Sequence, residues 1–431
     1  MASTGVSVIV VGLGLAGLTT AIECHQKGHS VIALERSKDL NYVGKIIDDT
    51  VMIDNNAGVI VSKWGNGAVG QALNAWKFNN TQASVYDTTG KQVQTIEVRK
   101  PSSNKYLILR RELTKIVYDH AKTLGIDMRF GTEISDYWEE SDQAGVSANG
   151  QKLQADCIIW ADGVNSKGRD SVAGSSLKPT HSGYAHIRGR ADIASLKGNP
   201  DAQWILQGAG EVDQMIFVPG PTACLTIVTC GGGRNVAFSN MYKVESPNSA
   251  KTSSTPATAQ DFLKPIQSWP FKANIEAVVQ AAPSGSLVDE PVLQLGQLPS
   301  WVSPQGRMIL IGDASHPSAL NSPIGESLVI EDAAVVAICL ELAGKGNVPL
   351  ALRVAEKIRY VKQSNNNKNI PRASALQHNV EQPDQGINMY PEVPLRDWVS
   401  EHNSQEHAYE EYDKVVKAIR GGKEYVATNI S

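Results

Sequence analysis

The chain has 431 residues, 42% of them hydrophobic and 19% charged, the make-up of a soluble globular protein with cores for two or three units rather than of a disordered or fibrous one. A formal net charge of -4 gives no electrostatic reason to expect nucleic acid or an anionic membrane as a partner. The five cysteines, Cys24, Cys157, Cys224, Cys230 and Cys339, are odd in number and form no CxxC pair, which points to buried free thiols and away from a disulfide framework or a metal site.

MASTG leads straight into VSVIVVGLG with no charged leader and signal-length apolar core, so a soluble cytoplasmic or otherwise intracellular protein is expected. Val6 to Val11 predicts a buried parallel strand, Leu15 to Lys27 a helix, and Val31 to Leu34 a second strand, together one right-handed crossover unit. Between the first strand and the helix, GLGLAG places Gly12, Gly14 and Gly17 where a dinucleotide site needs them. The first makes the tight turn, the second lets backbone approach a pyrophosphate, and the third lets the helix pack on the strand. Glu35 closes the second strand at the distance where a carboxylate meets a ribose hydroxyl; the plain alternative is a solvated strand end.

Further along, CIIWADG (157–163) and MILIGDA (308–314) repeat the buried-strand character. Between them, His181 to Leu295 carries shorter alternating runs broken by Gly and Pro, the pattern of an inserted antiparallel sheet, with Ser246 to Gln260 as a surface loop. The apolar stretch Leu328 to Leu342 is interrupted by Glu331, Asp332 and Glu341, which argues against a membrane span. From Pro349 onward, LALRVAEKIRYVKQ and EHAYEEYDKVVKAIR suggest a helical cover.

Taken with GLGLAG, the segments ADGVNSKGR (161–169) and GDASHP (312–317) resemble the later fingerprints of class A flavoprotein monooxygenases, the group of para-hydroxybenzoate and salicylate hydroxylases. LRREL at 109–113 is similar to a fourth element of that family, and IPRAS around Arg372 and YEEYD around Tyr409 extend the likeness over nearly the whole chain. The fungal secondary-metabolite members are the nearest in character. The resemblance implies an α/β fold: a Rossmann-like FAD-binding domain with an inserted antiparallel β-sheet substrate domain and a helical C-terminal region. The corresponding boundaries are 1–72, 102–177 and 295–348 for the FAD-binding domain, 73–101 and 178–294 for the substrate domain, and 349–431 for the cover.

Carried over residue by residue, the resemblance gives Glu35 to the adenosine ribose and Arg110 to the FAD phosphates. It puts Gly44 near the adenosine half, gives Asp162 and Gly163 to FAD and a transient NAD(P)H, and gives Asp313 to the ribityl hydroxyls. Arg169 is expected either at a phosphate or on the surface.

In the loop over the flavin ring the family reads Pro-x-x-x-Gln-Gly and then small or amide residues. Here Leu320 and Ile324 take the Pro and Gln positions, Gly325 is kept, and Glu326 replaces a small residue. A carboxylate there opposes the helix N-terminus that stabilises the anionic reduced flavin. Glu326 therefore turns to solvent as a first-turn acid, is protonated by burial, or acts as an acid/base toward flavin or substrate.

Arg188, in an Arg-Gly pair common to the fungal members, is the candidate catalytic and substrate-binding cation over the flavin pocket; a sheet-edge ion pair is the plain alternative. Tyr184 and His186 alternate with it on one strand and share its face as candidate substrate contacts. Val218 stands where some relatives carry a catalytic tyrosine.

The implied activity is FAD-dependent, NAD(P)H- and O2-consuming hydroxylation or epoxidation of a hydrophobic aromatic or alkene-bearing natural product. Ile324, Glu326 and Val218 motivate the alternative of a flavin-bound non-oxygenating oxidase, dehydrogenase, isomerase or cyclase. The residues name neither the substrate nor the choice between NADH and NADPH.

Overall fold

A computed structural model describes residues 3–40, 49–97, 104–173, 178–207, 211–221, 223–244, 253–296, 298–316, 325–369 and 400–427. Gly44, Leu320, Ile324 and Arg372 lie outside these described residues. At the centre is a parallel five-stranded sheet in the order Met308–Leu310, Cys157–Trp160, Ser7–Val11, Ser30–Leu34, Asp127–Arg129. Its inner strands read VIVV and CIIW without polar alternation because both faces are covered. The helices Leu15–Gln26 and Gly325–Ala343 and the antiparallel meander Ile134–Glu139, Ala144–Ala148, Gln151–Ala155 share one hydrophobic core with it.

Gly325–Ala343 is buried almost all round from Ser327 to Leu340, the mark of a central helix rather than a surface one. The charges that interrupt its sequence are not a solvated face. Glu331 and Asp332 are buried and both pair with Arg359 of the helix Val348–Asn369, at 2.8 and 2.6 Å.

The helix Ser404–Arg420 docks on the same core through Ala408 and Val415. Tyr409 Oη donates to Glu341 at 2.6 Å and Gln405 Nε2 to Glu23 at 3.2 Å. Among the described residues no helix is long and apolar enough to cross a membrane. All five cysteines are buried and free.

The second sheet has eight strands in the order Thr255–Pro256, Val288–Gln294, Thr180–Asp192, Asn235–Lys243, Ala223–Cys230, Met215–Pro219, Gln82–Tyr86, Gln92–Glu97. Most of its ladders are antiparallel, the exception being the join of Met215–Pro219 to Gln82–Tyr86. One face, with Ile187, Ala191, Val218, Leu225 and Ile227, forms a core with the helices Ala259–Leu263 and Lys272–Val279.

The other face, with Met215, Phe217, Val228 and Ala237, packs on Leu107 and Leu109 of the strand Tyr106–Leu109. That strand pairs with Thr50–Ile53. Part of the predicted surface loop differs from expectation. Thr255–Pro256 adds an edge strand, and Thr258 and Asp261 close a capping box on the next helix.

Candidate functional site

The three glycines of the first turn divide their work as the spacing predicts. Gly12 has φ +96°, and a Cβ there would lie 2.6 Å from the Ala161 carbonyl oxygen. At Gly17 a Cβ would lie 1.7 Å from the Gly12 carbonyl oxygen, so only glycine lets the helix Leu15–Gln26 approach its strand. At Gly14, the N-cap, a Cβ would meet nothing within 4 Å. Gly14 is thus a gap on the open side of the turn, at the positive end of the helix, where an anion is favoured.

Glu35, 8% exposed, accepts the Leu13 N–H on Oε2 at 2.8 Å and the Ser37 N–H on Oε1 at 2.7 Å. The solvated strand end is therefore excluded. Each oxygen keeps acceptor capacity beyond its backbone bond.

Asp162 follows the strand Cys157–Trp160, and its Oδ2 accepts from the N–H groups of Lys167 and Gly168 at 2.8 and 3.4 Å. Burial pushes its carboxyl above the ordinary aspartate value. Gly163 follows with φ +81° and open space where a side chain would be. Asp313 lies in the short 3-10 turn Gly312–Ala314 with its side chain exposed.

Arg169 is not a surface residue. It is 2% exposed and donates to the carbonyls of Val164, Asp313 and Ala314 at 3.0 to 3.3 Å, tying the two motif turns together. Glycine clearance, the helix end, the fixed Glu35 and the Asp313 turn together make a cradle that suits a dinucleotide such as FAD.

From this cradle a chain of charges runs to the inserted sheet. Arg110 opens the helix Arg110–Thr123, where a cation opposes the helix dipole. It is held there by carboxylates: Nε and Nη2 donate to Asp49 at 2.9 and 3.3 Å, and Nη1 lies 3.1 Å from Glu326 Oε1.

Asp49 also accepts from Arg188 Nη1 at 2.5 Å, and Arg188 Nη2 pairs with Glu290 on the neighbouring strand. Burial pushes Asp49 up, but Arg110 and Arg188 outweigh it and hold its carboxyl below the ordinary value. Burial pushes the Glu326 carboxyl up, opposed by Arg110 and reinforced by the nearby charges of Asp49 and Asp313. Of the three orientations open to Glu326, turning away to solvent is excluded by its pairing with Arg110.

Tyr184, His186 and Arg188 do alternate on one face of Thr180–Asp192, opposite Ile187 and Ala191, and all three are buried. Tyr184 packs with Cys224, Met241 and Val292. Both His186 ring nitrogens and Arg188 Nε are buried without a hydrogen-bond partner among the described residues. Burial first and the Arg188 charge second push the imidazole well below its ordinary value, so it is neutral at neutral pH.

Val218 packs in the core on the far face, and its neighbour Phe217 occupies the Arg188 side. The lack of a phenol at 218 therefore says little about chemistry near Arg188. Asp49 and Glu290 were not singled out from the sequence. Their partners are 61, 139 and 102 residues away, a pairing that no local spacing signals.

Residues 5–281 match the family model described as an FAD binding domain. The FAD-dependent monooxygenase nodY2 of Hypoxylon pulicicidum is 43% identical, with 99% of this chain and 96% of that protein aligned. The crystal structure of CtdE in complex with FAD and substrate 4 superposes with a TM-score of 0.88 at 34% identity, covering 96% of this chain and 100% of the other. A salicylate hydroxylase substrate complex shares the fold, with a TM-score of 0.68 at 18% identity over 98% of this chain and 96% of the other.

Proposed function

This chain belongs to the class A FAD-dependent monooxygenases of fungal secondary metabolism, and from that premise we propose how its own residues divide the work. It is an oxidoreductase that uses FAD, with the NAD(P)H and O2 typical of its family. The chemistry that FAD supplies when bound is hydride acceptance from NAD(P)H and activation of O2, one atom going to substrate and the other to water.

In the proposed site Gly12, Gly14 and Gly17 seat the pyrophosphate on the helix end, and Glu35 receives the adenosine ribose. Arg110 offers its remaining donors to a phosphate. Asp313 receives ribityl hydroxyls, and Gly325 lets backbone N–H groups approach the flavin. Asp162 and Gly163 border both nucleotides.

Tyr184, His186 and Arg188 orient the substrate on the inserted sheet. The neutral His186 ring and the Arg188 Nε–H are its buried free polar groups, and Phe217 and Met215 share that face. This favours a mostly apolar small molecule with one or two polar handles, an aromatic or alkene-bearing natural product. The observation that carries the reading is the single charge chain joining the nucleotide cradle to this face.

The test is anaerobic mixing of the purified holoprotein with NADH and with NADPH, with and without candidate substrates, followed by addition of oxygen. Bleaching of the flavin by one nicotinamide, and transfer of one oxygen atom from labelled O2 into product, are expected. If neither nicotinamide reduces the flavin with any substrate present, the oxygenase assignment fails. The non-oxygenating alternative has lost one of its motives, since Val218 faces away. Glu326 is engaged by a guanidinium rather than presented as a free acid.

A further inference from the structure

Glu326 departs from the small residue the family keeps at the start of the flavin-side helix, and its position in the charge chain supplies a reason. Three carboxylates, Glu326, Asp49 and Glu290, alternate with two guanidiniums, Arg110 and Arg188. Asp49 pairs with both arginines, whereas among the described residues Glu326 pairs with Arg110 and reaches Arg188 through its charge alone. The helix start carrying Glu326 is itself fixed, because buried Ser327 Oγ accepts the Asp54 N–H at 2.9 Å. Asp313, on the turn assigned to the ribityl chain, adds to the charge felt at Glu326.

We propose that Glu326 is a positioning residue: it locks Arg110 at the helix end and offsets its charge, so the bound flavin works at a lower reduction potential than a neutral residue at 326 would give. The proposal rests on the FAD reading above. Without the carboxylate, Arg110 retains, among the described residues, only the shared Asp49 as an acidic partner, and the site gains net positive charge. Reduced flavin carries the additional negative charge, so the reduced form is then favoured. A carboxylate held by a guanidinium serves as a hydrogen-bond acceptor, which sets this role apart from general acid/base work.

The experiment is a redox titration of the wild-type, Glu326→Gln, Arg110→Gln and doubly substituted holoproteins at pH 8 against a reference dye. Glu326→Gln is expected to favour reduction about tenfold, about 30 mV for a two-electron couple. In the Arg110→Gln background the same change is expected to do much less, because a carboxylate near Asp49 and Asp313 that has lost its cation takes up a proton more readily. An unchanged or lowered potential in Glu326→Gln overturns the proposal. So does an equal shift with and without Arg110, which would put the action of Glu326 directly on the flavin.

If Glu326→Gln does not retain FAD, the Glu326→Asp holoprotein carries the test. A wild-type potential there supports the charge role, and a raised one overturns it. Failure of the wild-type protein to bind FAD or to be reduced by NADH or NADPH would instead sink the functional reading itself.

Discussion

Gly14 and Gly17 lie three residues apart in one turn, yet substitution should act on different properties. A methyl group at 17 collides with the Gly12 carbonyl, whereas at 14 it enters open space. Gly17→Ala is therefore expected to destabilise the protein even without cofactor, by about 1–3 kcal/mol or more, because backbone must shift. Gly14→Ala should leave the melting temperature of the cofactor-free protein nearly unchanged while weakening FAD binding at least tenfold. Thermal melts and fluorescence titration with FAD separate the two effects. Equal losses of stability in both variants would contradict the division of labour. The glycine spacing was legible in the sequence because the chemistry of a dinucleotide turn is local.

At the scale of elements, the two motif turns after the strands Cys157–Trp160 and Met308–Leu310 are neighbours because those strands pair in parallel. Arg169 then fixes their separation by donating to carbonyls on both sides. Its guanidinium loses protonation affinity through burial but is satisfied by those bonds. Arg169→Ala takes these donors from the buried Ala314 carbonyl and from the part-buried Val164 and Asp313 carbonyls, and is expected to cost about 1–3 kcal/mol for Ala314 alone. Weaker FAD binding should accompany this, since Asp162 and Asp313 lose their mutual register. The measurement is denaturant unfolding alongside FAD titration, and unchanged cofactor affinity would show that the register does not matter. Motif position revealed that Arg169 was special. Its role depended on which strand became the neighbour of which.

The whole molecule is held over the site by charges inside its core. Arg359, from the helix that begins the C-terminal cover, reaches Glu331 and Asp332 on the central helix, and Asp332 also accepts from His316 at 2.6 Å and from the Gly312 N–H at 3.1 Å. Removing Arg359 takes the guanidinium away from two buried carboxylates, and Arg359→Met is expected to cost about 3–5 kcal/mol. Burial raises the Asp332 carboxyl, but His316 and Arg359 outweigh it and bring it down to about 2. Its folded value is below its unfolded one, so its contribution is fully present above the ordinary aspartate range. That contribution is lost as pH falls toward about 2. Unfolding free energies measured from pH 6 down to 2 should fall in this window, and the fall should be shallower in Asp332→Asn. Parallel profiles for the two proteins would refute the assignment.

By itself the sequence determined the nucleotide turn, the buried strands, the inserted sheet and the order of the flavin motifs, because these depend on backbone sterics and hydrophobic periodicity within short windows. The side-chain alternation of Tyr184, His186 and Arg188 was legible for the same reason. Only the tertiary structure decided where Glu326 points, that Arg169 is internal, that Val218 faces away from Arg188, and that Asp49 joins Arg110 to Arg188. Those are ion pairs and packing contacts between segments far apart in the chain. Their energies depend on distance and burial in space, quantities that residue order constrains only once the strands have paired.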